Sequence, residues 1–204
     1  MWTFLIMGAP SIRYRMFLER TVAYGSVVRR NRDDWTEIAL RALAEGGLNA
    51  VAIEPLAARA GATKGSVYHH FPNRDALLQA TVERWEREHT EKVIELVESE
   101  RTPQDKLRTL FATVLDRGRK GSVEMALQAA ATHEVIAPVL HRVTEKRVAY
   151  LAELFRELGF GKAQARKRAL IAFSLYLGQA QLWTSMPGLV EPLLDEAVRV
   201  LIAK

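Results

Sequence analysis

The chain has 204 residues, 49% of them hydrophobic and 26% charged, with a formal net charge of +5 and no cysteine. That length and balance suit a globular protein of one or two domains rather than a disordered chain, and the missing cysteine excludes thiolate metal sites, disulfides and cysteine redox sensing. The charge is uneven: residues 1–32 hold six arginines against Glu19, whereas residues 33–204 carry 23 basic and 23 acidic groups, so total charge alone is poor evidence for a nucleic-acid partner.

The opening stretch, MWTFLIMGAP, has a short apolar run with no positive region ahead of it and fails as a secretory signal. Two readings of residues 1–32 stand side by side. One is a poorly ordered leader, or a start placed too far upstream with Met7 or Met16 as internal candidates. The other is a basic arm whose RRNR at 29–32 runs along phosphates beside the first helix.

From Asp33 the apolar residues recur with helical period. Trp35, Ile38, Ala39, Ala42 and Leu43 form one stripe, and EGG at 45–47 stops it, because glycine accepts the left-handed C-terminal cap. EPLAARA reads as a second helix with Pro55 in its first turn, and Ala57 and Ala58 keep it slim for a close crossing. Gly61 breaks that helix and Thr63 opens a very short third one, closed by Pro72. Asn73 then caps a long fourth helix from Arg74 to about Val97.

Beyond residue 100 the pattern continues without strands. Leu107, Leu110, Phe111, Val114 and Leu115 make a stripe ended by RGRKG, and helices are expected at about 122–132, 134–158, 162–186 and 189–203. No period-2 segment appears. The expected fold is all-α: an N-terminal helix-turn-helix domain over residues 33–91 and a larger helical domain over 92–204. The long uncharged run ALIAFSLYLGQAQLWTSMPGLV is punctuated by Gly, Gln and Ser and reads as a doubly buried helix, so no membrane partner is expected.

The stretch GATKGSVYHHF, residues 61–71, carries the chemistry. Val67 and Phe71, at i and i+4, pin the third helix against Trp35, Ile38 and Leu56 and leave the opposite side to Lys64 and Tyr68. Thr63 as N-cap leaves the N–H groups of Lys64, Gly65 and Ser66 at a helix start, where the dipole favours an anion such as DNA phosphate. Gly65 and Ser66 keep bulk away, so the helix can enter a major groove about 12 Å wide.

The longer segment LAARAGATKGSVYHHFPNRDALL resembles the signature of the TetR-type (tetracycline-repressor-like) transcriptional regulators, A-G-x-[ST]-x-G-x-x-Y-x-H-F followed by a basic residue and a leucine, over about residues 33–91. The resemblance implies that Thr63, Lys64, Gly65 and Ser66 face the groove. It implies further that Tyr68, His70 and Arg74 hold phosphates, and that His69 sits at a variable position that often faces DNA. One position departs from the family pattern: Val51 and Ala52 stand where a Thr or Ser often caps the second helix and touches phosphate, and Arg29 to Arg32 could substitute for that contact.

The resemblance also implies a small-molecule effector bound in the second domain and a homodimer on double-stranded, palindromic operator DNA, with effector binding moving the fourth helix. Candidate cavity residues are Phe111, Met125, His133, Tyr150, Phe173 and Tyr176, with plain core packing the competing role for each. Candidate dimer residues are Gly178, Trp183, Val190, Leu193, Leu194, Ala197 and Leu201. The His69–His70 pair and the His133–His141 pair lack the spacing of metal ligands, and no metal or other cofactor is expected.

No Gly-x-Ser-x-Gly elbow, His-Glu-x-x-His, phosphate loop or dinucleotide glycine pattern is present, and the chain is not expected to be an enzyme. The expectation is a cytoplasmic, ligand-responsive regulator of transcription, a repressor by default. A DNA-binding dimer without an effector is the alternative, and a helical enzyme a remote one.

Overall fold

The computed structural model describes residues 30–119, 123–186 and 193–203, with side chains omitted at 116–119. The arm up to Arg29 and the dimer candidate Val190 lie outside the described residues. The body runs from Asn31, and its described residues form helices without strands. In chain order these are α1 (Arg32–Gly46), α2 (Ile53–Arg59), α3 (Lys64–Tyr68), α4 (Arg74–Glu86), α5 (Lys92–Glu98), α6 (Pro103–Arg119), α7 (Val123–Ala129), α8 (Ile136–Glu157), α9 (Lys162–Ser185) and α10 (Leu194–Ile202).

Capping fixes the first helix one residue earlier than its apolar stripe suggests. Asn31 accepts from the Asp34 N–H, and Asp34 accepts in return from the Asn31 N–H, so two otherwise orphaned donors are satisfied reciprocally. Asn31 and Arg32 therefore belong to α1 and not to the arm. The α2–α3 turn is set by Gly61 at φ 61°, a left-handed conformation that costs glycine nothing. Trp35, Leu56, Val67 and Phe71 are all essentially inaccessible and meet in one core. Ala57 joins that core, but Ala58 is exposed and takes no part in the crossing.

That core does not end with the helix-turn-helix. It continues through Leu77, Leu78, Val82 and Trp85 of α4 into Val123 and Leu127 of α7 and Ile136, Val139, Leu140 and Val143 of α8. A second core joins Leu107 and Phe111 of α6, Leu151 to Phe155 of α8, the small side of α9, and Leu201. The expected boundary near residue 91 thus falls on no gap in packing; the head is clamped onto α7 and the first half of α8.

The fourth helix is also not uniform. Between α4 and α5 the chain takes five residues of π-helix, Arg87–Glu91, a widened turn that inserts a residue and recurs at functional positions. Ion pairs fasten this segment to α8: Arg142 to Glu86, and Lys146 to Glu91 at 3.1 Å.

Candidate DNA-reading helix and effector cavity

Helix α3 presents two unlike sides. Val67 is fully buried, while Thr63, Lys64, Gly65, Tyr68 and His69 are exposed; Ser66 and His70 are half-buried. Tyr68 is 49% exposed, a large aromatic left in water with no core of its own. The Thr63 hydroxyl accepts from the Ser66 N–H at 3.3 Å, and the Thr63 carbonyl accepts from the same group at 3.0 Å. Ser66 is therefore already satisfied. The donors at the tip narrow to the first two N–H groups, those of Lys64 and Gly65, which by helix geometry have no intrahelical partner.

Lys64 pairs with Glu54 of α2 at 3.1 Å, with both side chains more than 60% exposed. Such a surface pair contributes little and opens readily, so the lysine is held near the tip rather than locked. His69 and His70 stack edge to face with ring centroids 4.9 Å apart. The His70 carbonyl accepts from Arg32, whose guanidinium lies 4.5 Å over the Phe71 ring. The end of α3 is thereby tied back to the start of α1.

Arg74 is a correction. Its Nε donates to the Val51 carbonyl at 2.6 Å and its Nη2 to the Leu48 carbonyl at 2.8 Å. These bonds satisfy the strand of chain leading into α2, whose Ala52 N-cap has no side-chain hydrogen bond. Arg74 braces the head from within instead of reaching outward.

The second region is a cavity against the second core, lined from the π-helical segment, α5, α6, α8 and α9. Four of the expected residues lie on its wall: Phe111 from α6, Tyr150 from α8, and Phe173 and Tyr176 from α9. Two do not, and these are corrections. Met125 sits on α7 away from the cavity, and His133 lies in the turn before α8, where its Nδ1 accepts from the Val135 N–H at 3.2 Å. His133 edges a separate depression against Gly47 and Leu48 of the head.

Reading by residue type missed the cavity's charged end. Arg147 donates to Glu124 at 2.8 Å, to the Thr90 hydroxyl at 2.9 Å and to the His89 carbonyl at 3.2 Å, and it covers the Trp85 ring at 4.9 Å. Tyr176 donates to the same Glu124 at 3.2 Å. The side chains of Arg147 and Glu124 are only 12% and 5% exposed. The signal was present: Ile136, Leu140, Val143, Arg147, Leu151 and Leu154 share one stripe of α8, and a lone arginine on an apolar stripe needs a buried partner. At the opposite side Tyr150 donates to Glu98 at 2.6 Å. Burial first, then that carboxylate, hold the phenol well above its ordinary pKa.

The dimer candidates divide as well. Ala197 and Leu201 are buried inside their own chain, with Leu201 in the second core, and Leu193 and Leu194 are half-buried. Arg168 fastens this end by donating to the carbonyls of Leu201 and Ala203. Ala197 and Leu201 are therefore withdrawn from the exposed face. Along α9, its C-cap and α10, the large apolar residues left in water among the described residues are Leu170, Ile171, Leu182 and Met186, with Val200 beyond them. Gly178 lies on the same outer side of α9, and a Cβ built there would meet nothing within 4 Å. Trp183 is half-buried near the end of α9.

Fold and geometry define an all-α protein with a helix-turn-helix head and a helical body holding an apolar cavity. Residues 36–81 match the family model described as bacterial regulatory proteins, tetR family. The HTH-type transcriptional repressor KstR2 of Rhodococcus jostii (strain RHA1) is 29% identical over 66% of this chain and 64% of that protein. The HTH-type transcriptional regulator BetI of Pectobacterium carotovorum is 29% identical over 56% of this chain and 60% of that one. The chain thus spans less than two thirds of the length of these curated relatives. In structure, a TetR-family transcriptional regulator from Streptomyces coelicolor superposes with a TM-score of 0.71 at 21% identity, covering 95% of this chain and 96% of that one. The head, over residues 36–81, is thus similar to that of tetR-family regulatory proteins, and the fold of the chain is that of the Streptomyces regulator.

Among the described residues no group of three or more metal-ligating side chains converges, and no helix is long and apolar enough to cross a membrane.

Proposed function

We propose that the protein is a dimeric, sequence-specific DNA-binding repressor of transcription that a small, mostly apolar molecule releases from a palindromic operator in the cytoplasm. One observation carries this reading: α3 buries Val67 completely while its slim opposite side, Thr63 to Gly65 with Tyr68, stands in solvent. An exposed helix tip without bulky side chains has no packing role in its own chain and fits a groove. Phosphates would take the first N–H groups, Tyr68 and His70; Lys64 would exchange Glu54 for a base edge or phosphate. That the Rhodococcus relative is a repressor favours repression.

The outer face of α9 supports pairing. A mid-helix glycine costs roughly 1 kcal/mol against alanine, and Gly178 has no close neighbour in its own chain to account for it. A second copy packed on Ile171, Gly178 and Leu182 would use the open space. The cavity supports an effector, because its wall joins the π-helical segment behind the head to α6, α8 and α9.

Selection of bound duplexes from a random pool by the full-length protein tests the proposal. Enrichment of a two-fold symmetric site is expected. Indifference among sequences, at the level of bulk competitor, contradicts it.

A further inference from the structure

We infer that the cavity takes an uncharged, mainly aromatic molecule bearing one carbonyl or hydroxyl oxygen, seated between the aromatic wall and the Thr90–Arg147–Tyr176 end. This deepens, and rests on, the reading of the cavity as the effector site. The wall sets the ring character: Phe111, Tyr150, Phe173 and Tyr176 all line it, and Phe173 and Tyr176 have ring centroids 6.1 Å apart. Flat aromatic faces pack best against another ring.

Charge balance sets the rest. Arg147 is the permanently charged group on the wall, and its counter-charge is built in, for Glu124 holds it at 2.8 Å with both side chains largely buried. No net charge remains to hold an ion. A carboxylate entering here would lie beside Glu124, and a second like charge at low dielectric is strongly disfavoured.

Hydrogen-bonding capacity nevertheless remains. A guanidinium has five N–H donors, and three hydrogen bonds from Arg147 are described. Thr90 accepts from Arg147 and keeps its own hydroxyl proton to donate. These donors suit a neutral oxygen. Because Thr90 and the His89 carbonyl sit in the π-helical turn, a ligand oxygen held by the remaining Arg147 donors and the Thr90 hydroxyl lies against the groups that hold that turn. The effector would thus act directly on the segment connecting α4 to the body.

The test compares two molecules of nearly the same shape, 2-acetylnaphthalene and naphthalene-2-carboxylate, by calorimetric titration of the full chain near neutral pH. The ketone is expected to bind more tightly by about tenfold or more. Glu124→Gln keeps the oxygen and removes the counter-charge, so it should narrow or invert that ratio. Equal or tighter binding of the carboxylate by the natural sequence overturns the inference and leaves the cavity standing as an effector site. Binding of neither removes the effector reading and the inference together. If the variant fails to fold, the natural sequence's ratio alone decides.

Discussion

The tip of α3 and the polar end of the cavity spend charge in opposite ways. At the tip, Lys64 and Glu54 are an exposed pair over water; in the cavity, Arg147 and Glu124 are buried and share Thr90, Tyr176 and a backbone carbonyl. Water screens the first pair, so it can trade partners with a polyanion at little cost. The second pair is stable only while intact, since either member alone would be a charge stranded at low dielectric. On the proposed reading, the surface offered to DNA keeps its partners loose, whereas the cavity offered to a neutral molecule settles its own charges first.

The contrast is broken most severely by Arg147→Ala. With Glu124 left buried, a loss of about 3–5 kcal/mol is expected, read as a large drop in the thermal midpoint; a loss below about 1 kcal/mol would mean the pair behaves like a solvated one. The corresponding Lys64→Ala change should leave the midpoint nearly unmoved. Next in size is Ile171→Glu, at a position 59% exposed in the single chain. Light scattering should report monomers with native helicity, and affinity for a palindromic duplex should fall by roughly 10²-fold as the second head is no longer tethered. A persisting dimer would move the interface off α9.

A smaller effect is expected from the tie between head and body. Arg142, by its hydrogen bond to Glu86, holds that carboxyl below the ordinary carboxylate pKa. A group titrating lower when folded adds stability that is present above about pH 4.3 and drains as the pH falls through the depressed value. Glu86→Gln should therefore lower the midpoint by about 2–4 °C at neutral pH and converge with the natural sequence in acid. A constant gap at every pH would assign the effect to packing.

How much of this was legible in the residues follows from how locally each feature is built. The head's motif is contiguous: Gly61, Thr63, Val67 and Phe71 act on each other within three turns, so spacing alone exposes turn, cap and buried side. The cavity is assembled from segments between His89 and Tyr176, and choosing aromatic and soft residues by type found Phe111, Tyr150, Phe173 and Tyr176 but also admitted Met125 and His133. The π-helical turn had no local marker, since Arg87–Glu91 contains neither glycine nor proline. Arg74 looks like a phosphate ligand in one dimension; only in three does it meet the carbonyls of Leu48 and Val51. Ala197 and Leu201 keep helical spacing with Leu194, but spacing cannot say whether an apolar stripe faces its own core or a second copy.

The measurement closest to the central claim is made on Gly65→Ala, following thermal midpoint and affinity for the selected duplex together. A Cβ at this position would meet only the Thr63 hydroxyl, at an ordinary 3.6 Å, so the fold has room for it, and the helix gains roughly 0.5–1 kcal/mol. If α3 enters the groove by its bare tip, the midpoint holds or rises while affinity falls by about tenfold or more. Undiminished affinity in a protein at least as stable would contradict the account, because the tip would then not be where DNA is met.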